Sequence, residues 1–437
     1  MSPVLFPPLP RASWRLILAA SASLILSACG GGGGGAPSGS SSSTSQSVGL
    51  TAQAALGEKI FKDTSLSLNG NQSCASCHVA ERGHAGPLQF VGPNSDIPTE
   101  PGSDGVSLGG RMSPSIRYLA FNKPFRFEDG SPATGTPTGG LFWDGRAATL
   151  ADQGKGPFLN PKEMANADVA TVIAKLANAT YAGEFKALNG QAIFDDPDAA
   201  FERVALALQA FEKESPEFSR FSSKYDAFLR GQTSLSASEL RGLALFNTRD
   251  NETDPSKNKG NCVACHPSAI GKDGSFPLFT DFSYDALGVP RNWNVATNPA
   301  QFDLGLCDNG TDTINALNAS SKAALCGKFK VPSLRNVGLR KAFFHNGRFT
   351  SLTDVVTFYV QRDINPDQFY LDAHNQPDVK FNDLPPAYRG NVNTTVGPYN
   401  RGPGDSPALS PAEIADVVNF LCTLTDGWAG SDLACQR

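Results

Sequence analysis

The chain has 437 residues, of which 40% are hydrophobic and 18% charged, a globular composition that excludes a disordered protein and leaves room for two or three domains. Its 43 glycines and 31 prolines exceed the usual share, so long loops should join a limited set of regular elements, which argues against a coiled coil or a repeat solenoid. The net charge is −5, and an acidic surface argues against sequence-independent binding to nucleic acid.

The N-terminus reads as an address. Arg11 and Arg15 precede an apolar run from Leu16 to Leu26, and Ser27 and Ala28 stand just before Cys29. This is the pattern of a secretory signal ending in a lipobox, with a leader over residues 1–28 and Cys29 as the acylated first residue of the mature protein. The plainer alternative is an ordinary signal whose cleavage site happens to precede a cysteine. Gly30, rather than an aspartate, follows Cys29 and points to the outer membrane. Gly31 to Gly35 and the Ser-rich stretch to Ser47 complete a flexible tether over residues 29–48. No later segment reaches the roughly 18 uninterrupted apolar residues of a membrane helix. The expectation is an exported protein held on the periplasmic side through the lipid at Cys29 alone.

Eight cysteines remain beyond Cys29, and four of them form two matching patterns, Cys74 and Cys77 followed by His78, and Cys262 and Cys265 followed by His266. Each is the attachment signature of a c-type haem. Two thiols three residues apart reach the two vinyl groups of one porphyrin, and the adjacent histidine then lies beneath the iron. A zinc site or a redox dithiol is the alternative, but four-cysteine zinc has no use for the histidine, and no βαβ pattern surrounds either motif. Cys307 with Cys326, and Cys422 with Cys435, are close pairs suited to disulfides in an oxidising compartment. Free thiols and cross-pairing stay open at this point.

The two halves repeat. Leu56, Gly57, Ile60 and Phe61 precede the first motif as Arg241, Gly242, Leu245 and Phe246 precede the second, each set spaced for one helix face. Further on, Ser113 to Arg117 is echoed by Val331 to Arg335, and Phe142 to Arg146 by Phe344 to Arg348. The reading is a tandem duplication, with an N-terminal module over 49–232 and a C-terminal module over 233–437 that ends with a helix from Pro411 to Leu424. The duplication also tests ligation by position. Tyr359 lies 14 residues after His345, on a helical stretch from Leu352 to Val360, whereas 14 residues after Trp143 stands Pro157. Proline has no lone pair for iron. If corresponding positions face corresponding irons, His266 and Tyr359 ligate the second haem, and His78 alone ligates the first, leaving it an open position. A core aromatic on an amphipathic helix is the plainer account of Tyr359.

Together these residues resemble the bacterial diheme cytochrome c peroxidase family, and more closely its MauG-like branch. The resemblance spans Gly49 to Gly427 and rests on both haem motifs, on Phe142 to Ala147 with Leu150, Gln153, Lys155, Gly156, Pro157, Glu163 and Met164, and on the Pro332 to Arg335 and Phe344 to Gly347 segments. It implies two covalently bound haems, Trp143 as an electron relay between them, and Gln153, Pro157 and Glu163 lining the peroxide pocket of the first. Tyr359 falls where the MauG-like branch has tyrosine and ordinary peroxidases have methionine. The family's distal histidine has His84 as its only candidate here. The family's interdomain calcium uses an asparagine where this chain has Met112, and a thioether is a poor calcium ligand.

The expected fold is therefore all-α, two tandem cytochrome c-like haem domains with long loops. The expected function is a peroxidase-type oxidoreductase: hydrogen peroxide is cleaved at the N-terminal haem with help from Glu163 and Gln153, and the C-terminal haem stores or relays oxidising equivalents. Electrons would come from a small cytochrome c or cupredoxin, or from a protein substrate oxidised in the MauG-like manner. A tethered electron carrier or redox sensor without catalysis is the alternative, and an acid/base beside an open iron argues against it.

Overall fold

Helix formation before each haem motif follows the expected pattern. The Ala52–Lys62 helix starts at Thr51, whose hydroxyl accepts from Ala54 N–H, and the Ala237–Asn247 helix starts with a capping box between Ser236 and Glu239. Each buries a glycine where another helix crosses it. A Cβ on Gly57 would stand 2.0 Å from the carbonyl oxygen of Ala207 in the Pro197–Glu214 helix, and one on Gly242 would stand 2.0 Å from that of Asp416 in the Pro411–Cys422 helix. Phe211 and Phe420 then occupy the same place beside the two crossings, their Cβ atoms 2.9 Å from the same hypothetical methyls. Only a hydrogen fits at either glycine, so sequence spacing and backbone packing coincide.

The structure is a computed structural model that describes residues 49–435 apart from 88, 91–95, 98, 132–134, 251–257 and 296–299. The expected leader, the tether and Cys29 lie outside the described residues. Residues 49–437 cluster as one compact unit. Among the described residues no helix is long and apolar enough to cross a membrane.

Regular structure is almost entirely helical. Among the described residues the additions to the all-α expectation are three antiparallel pairs of two-residue strands, Gln89–Phe90 with Asp96–Ile97, Arg126–Phe127 with Pro137–Thr138, and Tyr284–Asp285 with Phe329–Lys330. Such short ladders pin loops rather than form a layer. Two large apolar clusters carry the packing. One draws on residues 56–218, including Ile60, Phe158, Leu208 and Phe211. The other draws on residues 225–424, including Phe246, Phe279, Phe358 and Phe420. Tyr225, on the Lys224–Leu229 helix, belongs to the second cluster although it precedes residue 232.

Candidate functional site

Each haem motif is a single helical turn. His78 N–H donates to Cys74 O and His266 N–H donates to Cys262 O, both at 2.9 Å. Within such a turn residues three apart share a face, so the thiols of Cys74 and Cys77, and of Cys262 and Cys265, are presented together. All four cysteines are unpaired. Burial pushes the Cys74, Cys262 and Cys265 thiols up to about 12, the opposite of the lowered value that a redox dithiol needs. Among the described residues no group of three or more His, Cys, Asp or Glu side chains gathers as a metal site.

The histidines are set up as neutral iron ligands. His78 Nδ1 is hydrogen-bonded to His84 O at 3.2 Å and His266 Nδ1 to Phe279 O at 2.7 Å, which makes Nδ1 the protonated nitrogen and leaves Nε2 for a metal. Burial, the dominant cause, pushes His78 down to about 4 and lowers His266 as well. Both accepting carbonyls belong to residues in the left-handed region, His84 at φ 53° and Phe279 at φ 54°. The same carbonyls also accept from Ile116 N–H and Leu334 N–H, while the Ser115 and Ser333 hydroxyls donate to Gly83 O and Leu278 O. A strained conformation of a bulky residue, repeated at matching places, marks a carbonyl that must point one way. His84 is thereby fixed on the His78 side. Its ring accepts from Arg117 Nε at Nδ1 (3.1 Å) and faces Glu217 at 3.6 Å through Nε2, so both ring nitrogens are engaged by protein groups.

Beyond the attachment turns the sites diverge. In the N-terminal site, the Leu150–Leu159 helix, capped by Thr149, carries Gln153 and Pro157 four residues apart on one face. Glu163 follows in the next turn, where its N–H donates to Asn160 O and its carbonyl accepts from Ser103 N–H. Its carboxyl is raised by burial, against the lowering effects of Arg146 and Asn160, and it interacts electrostatically with Cys74 and Cys77. Two further carboxyls, neither apparent from sequence, join it. Glu100 is pushed up to about 7 by burial, accepts from Ser113 through Oε2 at 3.0 Å and has no partner for Oε1. Glu212 is pushed up to about 8 by burial, interacts with Cys74 and has no partner for Oε2. This site can hold and move protons.

In the C-terminal site, an apolar-walled cavity is lined by Cys262, Cys265, His266, Tyr359 and Tyr399. Tyr359 lies on the Leu352–Gln361 helix, capped by Ser351 as Thr149 caps its counterpart. Pro157 and Tyr359 are each the eighth residue of their ten-residue helices, so the positional comparison made from sequence holds in the structure. Burial drives the Tyr359 phenol well above its ordinary value. Coordination to a metal would displace that proton. Tyr359 rests between Phe344 and Tyr399, ring centres 5.9 Å from each.

Trp143 borders the same cavity. Its Nε1–H donates to Met112 O at 2.8 Å, and Met112 N–H donates to His345 O at 2.8 Å, so two echoed positions are joined through one residue. The Met112 side chain packs with Trp143, Ala342 and Phe329. His345 stacks on Phe329 with ring centres 3.6 Å apart and also lines the cavity, whereas His374 is exposed. The Sγ atoms of Cys307 and Cys326, and of Cys422 and Cys435, stand at bonding distance, 2.10 and 1.93 Å. The cross-pairings left open by sequence are not those found. Unpaired thiols on one face and a neutral imidazole with Nε2 free fit a covalently attached haem at each motif, and at the second an apolar cavity adjoins them.

Comparison with known proteins agrees with this geometry. The profile of the family described as di-haem cytochrome c peroxidase matches residues 51–234. The methylamine utilization protein MauG of Paracoccus denitrificans is 35% identical over 380 residues, covering 86% of this chain and 89% of that protein. The cytochrome c peroxidase Ccp of Escherichia coli is 30% identical over 312 residues, which span 70% of this chain and 52% of that longer protein. Among solved structures, the diheme peroxidase BthA of Burkholderia thailandensis is similar with a TM-score of 0.76 and 36% identity, over 88% of this chain and 90% of that one.

Proposed function

The chain belongs to the family of di-haem cytochrome c peroxidases and MauG, peroxidase-type oxidoreductases with two c-type haems, and from that premise we propose that it cleaves hydrogen peroxide in the His78 pocket while oxidising equivalents are stored or relayed at the site of His266 and Tyr359. In this reading Cys74, Cys77 and His78 hold one haem, and Cys262, Cys265, His266 and Tyr359 hold the other, in two tandem cytochrome c-like modules, 49–232 and 233–437. The haem irons, when bound, supply the electron-transfer chemistry that O–O cleavage needs.

The observation that carries the proposal is Glu163, a carboxyl raised by burial that interacts with both thiols of the first attachment turn. Heterolytic cleavage requires one group to take a proton from the near oxygen of peroxide and return it to the far one. A carboxyl whose pKa is raised toward the working pH does this well. Gln153 would hold the peroxide by hydrogen bonds, and Pro157 keeps the distal face free of a protein ligand. Trp143, packed against Met112 and Ala342 and bordering the second cavity, is the candidate relay.

The oxidised equivalent would be used either on a small cytochrome or cupredoxin or on a partner protein. A hard phenolate at the second site favours the latter because it stabilises higher iron oxidation states. Export, anchoring of Cys29 in the outer membrane and the disulfides Cys307–Cys326 and Cys422–Cys435 complete the proposal. Replacing Glu163 by Gln tests its core: the rate at which peroxide reacts with the oxidised protein should fall by about 10²–10⁴-fold in stopped flow. An unchanged rate would remove the acid/base role.

A further inference from the structure

Two cations line the C-terminal cavity without a counter-ion. Arg340 is 7% exposed; its Nη2 donates to Ser333 O at 2.7 Å and to Arg335 O at 3.0 Å, and its Nε has no partner. Lys330 is anchored by Asn122 Oδ1 and Gly140 O, both neutral acceptors. Among the described residues neither forms an ion pair. Both are desolvated, Arg340 being pushed down to about 10 and Lys330 to about 7 by burial alone. A buried cation left unpaired is costly, and chains that keep one have a partner for it.

The place of these cations identifies the partner. A smaller cavity shares Met112, Trp143, Lys330 and Arg340 with the larger one but is not lined by Cys262 or Cys265. The cations therefore border both cavities, beside Trp143. A porphyrin anchored through its two vinyl groups carries its two propionates on the opposite edge.

We propose that Arg340, assisted by Lys330, binds a carboxylate of the C-terminal haem and holds a fixed positive charge between that haem and Trp143. This deepens the functional reading and rests on a haem being seated at His266. Arg340 is a positioning residue in this role, and its charge favours the ferrous over the ferric state by simple electrostatics.

The test uses the holoprotein with Arg340→Gln, Arg340→Lys and Lys330→Gln. Spectroelectrochemistry should show the C-terminal haem of Arg340→Gln shifted at least tenfold toward the ferric form at a fixed potential, about 59 mV for one electron, with Arg340→Lys close to wild type. Resonance Raman should show the propionate bending mode displaced in Arg340→Gln and, to a smaller extent, in Lys330→Gln. Haem content read from the absorption spectrum separates the two failures, since absence of the second haem from the wild-type protein would refute the seating itself. A seated haem whose potential and propionate mode ignore Arg340→Gln would overturn the role of the arginine. If Arg340→Gln does not accumulate, a propionate mode unchanged in both Arg340→Lys and Lys330→Gln would overturn it equally, and a displaced mode would support it.

Discussion

The two haem motifs share their supporting structure and differ on the face that chemistry would use. Around His78 and His266 the attachment turn, the carbonyl that fixes the imidazole, the serine that braces it and the glycine-mediated helix crossing recur in the same arrangement, though the residues differ at some places, His84 against Phe279 and Ala207 against Asp416. Near the first attachment turn stand Glu163, Glu100 and Glu212, all with raised carboxyl pKa values, whereas the second cavity is lined by Tyr359, Tyr399, Lys330 and Arg340. The matching parts are those that set backbone geometry, and the differing parts are ionisable side chains. On the proposed function, proton handling would belong to the first site and electron storage to the second.

The echoed arginines are the hardest test of how far the sharing goes. Arg335 forms a two-pronged pair with Asp226 at 2.8 and 3.0 Å, with both groups essentially inaccessible. Its counterpart Arg117 lies 3.7 Å from Asp426, which also accepts from Tyr118, Ser222 and Asn336. Arg335→Met should therefore cost about 3–5 kcal/mol in denaturant unfolding, because it strands a buried carboxylate. Arg117→Met should cost distinctly less, and equal losses would contradict the distinction.

The glycine crossings should instead behave alike. Gly57→Ala and Gly242→Ala each push a methyl into a carbonyl oxygen at 2.0 Å, a backbone clash that no rotamer relieves. About 3 kcal/mol is expected for each, at the upper end of overpacking losses. A large cost at one and none at the other would break the structural repeat.

A smaller effect separates the sites by pH. Burial raises the Glu212 carboxyl from an ordinary 4.5 to about 8, so between those values the folded chain holds a proton that the unfolded chain has released. Stability should fall as pH rises through that window, by on the order of 2 kcal/mol, and Glu212→Gln should flatten the slope. Thermal unfolding from pH 5 to 8 measures it, and an identical slope in the variant would remove Glu212 as the source.

Sequence revealed what covalent chemistry and backbone sterics force into fixed spacings: the cysteine pairs with their histidines, Gly57 and Gly242, the serine–arginine echoes, and Pro157 against Tyr359. It did not reveal the carbonyls of His84 and Phe279, because a backbone atom leaves no side-chain signature. Glu100, Glu212, Lys330 and Arg340 were equally hidden, since a charged residue reads as solvated until burial is known, whether in a loop or, like Glu212, on a helix. The two-residue strands are too short for an alternating pattern to register.

The central claim is that the first iron is open and the second is closed by Tyr359. Titrating the fully oxidised protein with hydrogen peroxide, with no reductant added, and following optical and EPR spectra tests it directly. The account predicts one high-spin and one low-spin ferric signal at rest, with the high-spin signal lost at once on adding peroxide. Two low-spin signals that stay unchanged until one haem is reduced would contradict it.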